Sequence, residues 1–62
     1  MPVISVDMFQ GRTAEQKRAL AEGFTKTFCD VTQAKPEAVI VIFRDVPREN
    51  WATAGMLASE SS

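Results

Sequence analysis

Val39-Ile40-Val41-Ile42-Phe43 is the stretch on which the fold turns. A short, unbroken apolar run bounded by polar, proline-containing segments suits a strand buried on both faces. We place this strand at Ala38 to Phe43. Before it lies a loop, Gln33 to Glu37, centred on Pro36. After it comes a polar turn, Arg44 to Asn50, containing Pro47. Working back along the chain, Leu20, Phe24, Phe28 and Val31 recur at spacings of four, four and three. Lys17, Arg18, Glu22, Lys26 and Asp30 stand away from that stripe, so a helix runs from about Ala14 to Thr32. Thr13-Ala14-Glu15-Gln16 has the form of a capping box at its start. Gly23 falls mid-helix at a cost of about 1 kcal/mol against alanine, for which a close approach of helix to sheet is the expected reason.

Further back, Ile4, Val6 and Met8 alternate with Ser5 and Asp7, which makes Pro2 to Phe9 a first strand. Gln10-Gly11-Arg12 supplies the turn into the helix. Beyond the second strand, Trp51 to Ala54 reads as a short strand or hairpin arm with Gly55 as a bend, and Glu60 to Ser62 as a frayed tail. The fold class is therefore α/β (α+β): residues 1–62 form a single domain, a βαβ unit with a right-handed crossover and a short C-terminal hairpin. Such a unit covers one sheet face with its helix and leaves the other bare, and two parallel strands are too few for a stable sheet. Other copies must supply the missing strands and cover. The chain is expected to be an oligomer.

Composition points the same way. A chain of 62 residues buries only about 60% of the surface its unfolded form exposes. Small scaffolds are usually secured by disulfides, a metal or self-association. One cysteine, Cys29, and no histidine leave neither an intrachain disulfide nor a zinc site of the usual kind. No metal and no cofactor are expected. Seven basic and eight acidic residues, interspersed, make no basic stripe for nucleic acid. No apolar run is long enough to span a bilayer, and the first residues lack the pattern of a signal peptide. With one free thiol and no export signal, the expected location is cytoplasmic.

The sequence offers no histidine for acid–base work, no Cys/His pair, no glycine-rich phosphate loop and no obvious carboxylate dyad. The remaining candidate is the chain terminus. Initiator methionine is commonly excised before a small residue, and excision of Met1 would leave Pro2 as a secondary amine at the head of a strand. A free α-amine titrates near ~7.7–8.0. An apolar pocket disfavours its protonated form and lowers that value, which poises it as a base near neutrality. Taken alone, Pro2 reads as an ordinary strand-initiating proline.

Its neighbours change that reading. Pro2, then Gln10-Gly11-Arg12-Thr13-Ala14-Glu15-Gln16-Lys17, then Glu49-Asn50-Trp51-Ala52-Thr53-Ala54-Gly55 together resemble the 4-oxalocrotonate tautomerase family over nearly the whole chain. The resemblance implies a homohexamer, a trimer of dimers, whose terminal prolines lie in pockets shared between subunits. It implies a cofactor-independent isomerase that moves a proton between carbons of an unsaturated 2-oxo or 2-hydroxy acid such as 2-hydroxymuconate. Pro2 would be the general base. Arg12 would grip a substrate carboxylate with its planar fork. Trp51 would wall the pocket, in place of the aromatic usual there, or serve interface packing.

One departure bears on the substrate. Where well-known members carry a second arginine in the second strand, this chain has Ile40. Arg44 or Arg48 from a neighbouring subunit are the residues available to replace it, both otherwise surface residues. Without it, enols with one carboxylate, such as an arylpyruvate enol, become as suitable as a dicarboxylate. A haloacrylate-processing branch is disfavoured, because Phe9 and Thr53 stand where it needs an arginine and a water-activating carboxylate. The rival from another class is a non-catalytic βαβ module that binds partners or itself.

Overall fold

The computed structural model describes residues 1–60. Strand β1 spans Val3–Phe9, helix α1 Ala14–Thr32 and strand β2 Ile40–Val46, followed by a hairpin of β3 (Ala52–Thr53) and β4 (Met56–Leu57). β1 and β2 are parallel neighbours, with Val3 opposite Ile40 and Phe9 opposite Val46. This is the expected βαβ unit with its short hairpin.

The helix begins where the capping box predicts. Thr13 Oγ1 accepts from the Gln16 backbone N–H at 3.1 Å, and Gln16 Oε1 accepts from the Thr13 N–H at 2.9 Å. Thr13→Ala leaves one helix-end donor without its partner and is expected to lower stability by about 1 kcal/mol, read from the midpoint of a urea denaturation curve. At the other end Gln33 takes a left-handed conformation, φ 68°, and donates its backbone N–H to the Cys29 carbonyl at 2.8 Å.

The second strand starts and ends later than its apolar run. Pro36–Ala38 forms a single 3-10 turn, in which the Ala38 N–H reaches the Lys35 carbonyl at 3.0 Å, so Ala38 is not part of β2. Arg44, Asp45 and Val46, read as a turn from their polarity, continue the strand because each charge has a partner on its own face. Arg44 meets Asp7, its neighbour across the ladder, at 3.7 Å, while Asp45 turns to the helix side and meets Lys17 Nζ at 2.6 Å. That contact also corrects the helix. Lys17, expected on the polar face, is half-buried against the sheet. Val31, expected in the apolar stripe, is 76% exposed. A 19-residue helix is about 28 Å long and a seven-residue strand about 23 Å, so the last turn overruns the sheet.

Two further expectations change. Gly23 is exposed, and a Cβ there would meet nothing within 4 Å, so no close approach to the sheet explains it. Of the expected tail, Glu60 is bonded to the hairpin through its backbone N–H to the Leu57 carbonyl, 3.0 Å, and through Oε2 to the Leu57 N–H, 3.3 Å. Residues 61 and 62 lie outside the described residues. The bend at Gly55 is a two-residue turn in which Ala54 and Gly55 have φ of 54° and 80°, the positive pair that a type I′ hairpin requires.

The packing is one-sided. Leu20, Phe24 and Phe28 of the helix and Ile4, Val6, Met8, Val41 and Phe43 of the strands are half-buried. On the opposite sheet face Val3, Ile40 and Ile42 are 53%, 40% and 40% exposed. The second strand is thus covered on one face within the subunit, rather than on both. Among the described residues no side chain is fully buried.

Candidate active site

The turn after β1 positions Arg12. Gly11 has φ 118°, which side-chain-bearing residues rarely adopt, and it lets the chain leave the strand and enter the helix within four residues. Arg12 is exposed, and no hydrogen bond or ion pair within the subunit engages its guanidinium among the described residues. An unpaired, permanently charged fork is well suited to an incoming carboxylate.

Three residues before Arg12, the ring of Phe9 packs on Trp51 at a centroid separation of 4.5 Å with a 43° tilt. Trp51 is half-buried and opens the β3 arm. The Arg48 guanidinium lies 5.3 Å from the Phe9 ring centre and donates from NH2 to the Ala58 carbonyl at 3.0 Å. Phe9, Trp51 and Arg48 therefore form one stack of aromatic and cationic groups at the C-terminal end of β1. Phe9 did not stand among the expected site residues, and Arg48 stood there only beside Arg44 as a replacement for the absent second arginine. The aromatic at position 9, at the end of a strand whose other end carries Pro2, was the signal for the first.

Pro2 stands at the opposite end. Its carbonyl accepts the Ile40 N–H at 3.0 Å, and its ring is half-buried. Seven residue steps of extended chain lead from it to Phe9, a span of about 23 Å. The subunit thus brings Trp51 together with Phe9 and Arg48, with Arg12 on the following turn, and holds Pro2 apart from all of them. An open groove of about 500 Å³ runs along α1 and Pro36, lined by residues including Ala21, Thr25 and Cys29. It contains none of Pro2, Arg12 or Trp51. Size alone gives it no claim to chemistry.

A family sequence model described as tautomerase enzyme matches residues 2–60, beginning on Pro2 itself. The chain belongs to the tautomerase family. Among its relatives, the 2-hydroxymuconate tautomerase of Comamonas testosteroni is 40% identical over 60 residues, 97% of this chain and 95% of that protein. The 2-hydroxymuconate tautomerase of Bacillus subtilis is 37% identical over 97% of each. The solved structure of YwhB, a homologue of 4-oxalocrotonate tautomerase, superposes with a TM-score of 0.94 at 34% identity, over 98% of this chain and all of that one. A heterohexameric 4-oxalocrotonate tautomerase from Chloroflexus aurantiacus superposes with a TM-score of 0.89 at 27% identity, covering 97% of both chains. This tautomerase is accordingly a keto–enol isomerase with the 4-oxalocrotonate tautomerase fold. No helix among its described residues is long and apolar enough to cross a membrane.

Proposed function

We propose that the chain is a cofactor-independent tautomerase of 2-hydroxydienoates or enols of 2-oxo acids, with Pro2, freed of Met1, as its general base. The observation that carries this reading is the anchoring of Pro2. Its carbonyl is bonded into the sheet through the Ile40 N–H at 3.0 Å, while Met1 ahead of it is 89% exposed and open to an aminopeptidase. Excision would leave a secondary amine whose ring and strand fix the direction of its lone pair.

In the proposed reaction Pro2 accepts the hydroxyl proton of the bound enol. The electron pair moves through the conjugated chain onto carbon, the ammonium returns the proton to that carbon, and Pro2 emerges neutral. Arg12 holds a carboxylate and stabilises the negative charge that spreads toward it, and Trp51 excludes water. The working form is an oligomer, a hexamer built as a trimer of dimers, in which the strand head of one copy meets the Arg12 and Trp51 end of another. Three things support that arrangement: the separation of about 23 Å within one subunit, the bare sheet face with Ile40 and Ile42 each 40% exposed, and the heterohexameric relative. The rival reading, an assembly module without activity, is disfavoured by relatives that are themselves 2-hydroxymuconate tautomerases.

Ketonisation of 2-hydroxymuconate and phenylenolpyruvate, followed by ultraviolet absorbance, tests the proposal. Losing one charge-assisted contact of ~1.5–3 kcal/mol, Arg12→Ala is expected to lower kcat/KM about 10–100-fold. An unchanged value would remove Arg12 from the site.

A further inference from the structure

Ile40 leaves this tautomerase without a cation at the place in the second strand where the resemblance expects one, and two arginines remain to replace it. The structure separates them. Arg44 faces an acidic partner, Asp7, across the strand ladder at 3.7 Å. Arg48 is held differently. Its guanidinium lies 5.3 Å over the Phe9 ring, and a single N–H from NH2 goes to the Ala58 carbonyl at 3.0 Å. A guanidinium has five donors, so that bond fixes its plane and leaves enough N–H groups for a two-point grip on a carboxylate. No acidic side chain of the subunit pairs with it among the described residues. Its support, Phe9, stacks in turn on Trp51, the residue expected to wall the pocket.

We propose that Arg48 is a second carboxylate-binding residue of this site and that it directs the enzyme toward unsaturated 2-hydroxy dicarboxylates. This inference rests on the tautomerase reading given above. Arg12 and Arg48, on the turn after β1 and on the segment before β3, take the two carboxylates of one substrate. The Phe9 ring and the Ala58 carbonyl hold the guanidinium in one place, so less side-chain freedom is lost when it grips the second carboxylate than for an unanchored arginine. An enol with a single carboxylate gains nothing from it.

The test compares 2-hydroxymuconate, which has two carboxylates, with phenylenolpyruvate, which has one, using the mature protein and its Arg48→Ala, Arg48→Gln, Arg44→Ala and Pro2→Ala variants. Both Arg48 variants are expected to raise KM for the dicarboxylate about 10–100-fold while leaving KM for the monocarboxylate within about threefold, the pattern of a lost binding contact. Arg44→Ala is expected to change neither. Arg48→Gln removes the charge while keeping a polar side chain with a similar stem, so it keeps the comparison available should Arg48→Ala loosen the hairpin. Equal effects on the two substrates, or no effect on either, would overturn the role of Arg48 while a strong loss in Pro2→Ala leaves the tautomerase reading standing. Undiminished turnover by Pro2→Ala would instead overturn the reading beneath it.

Discussion

Protein that keeps Met1 is expected to ketonise 2-hydroxymuconate about 10²–10⁴-fold more slowly than protein that begins at Pro2, the range over which a positioned general base acts. With Met1 attached, the Pro2 nitrogen belongs to a tertiary amide whose lone pair is delocalised into the carbonyl and cannot take a proton. The fold has no reason to change, since the anchoring bond to Ile40 N–H uses the Pro2 carbonyl and not its nitrogen. The defect should therefore fall on kcat, with substrate binding through Arg12 retained. A chain of 62 residues is within reach of chemical synthesis, so both termini can be made pure and checked by intact mass. Pro2→Ala is expected to lose most of the activity on both substrates. It retains a primary amine but not the ring that directs the lone pair.

The second large effect concerns the bare sheet face. Ile42→Asp is expected to break the assembly into smaller species at micromolar concentration and to abolish activity with it. Within one subunit Ile42 is 40% exposed beside Ser5 and between the similarly uncovered Ile40 and the Asp7–Arg44 pair. If other copies cover that face, the new carboxylate must be buried without a partner, which costs several kcal/mol. If the face is free in solution, the change is harmless and helps solubility. Sedimentation velocity separates the two outcomes directly. The unmodified protein should also show a Tm that rises with concentration, because association stabilises only the folded form.

The bare sheet face was legible in the sequence because one helix can cover only one face of a two-stranded sheet. The helix limits were legible for a local reason, since the Thr13–Gln16 box is satisfied by neighbours three residues apart. The end of β2 was not. Arg44 and Asp45 look like turn residues until Asp7 and Lys17 are brought alongside, and those pairings span 37 and 28 residues, read as 44 − 7 and 45 − 17. Lys17 misled for the same reason, as its partner is distant in sequence. The site was legible only in part. Pro2, Arg12 and Trp51 carried the resemblance, whereas the clamp of Arg48 between Phe9 and the Ala58 carbonyl depends on how the hairpin folds back, which no local pattern announces.

A nitrogen-15 label placed in Pro2 of the synthetic mature protein allows its amine to be titrated by NMR in the assembled state. Protonation is expected below the ~7.7–8.0 of an ordinary α-amine, with a rise of kcat/KM with pH that follows the same titration, because only the unprotonated amine is a base. An ordinary titration, or a rate profile that ignores it, would contradict the account.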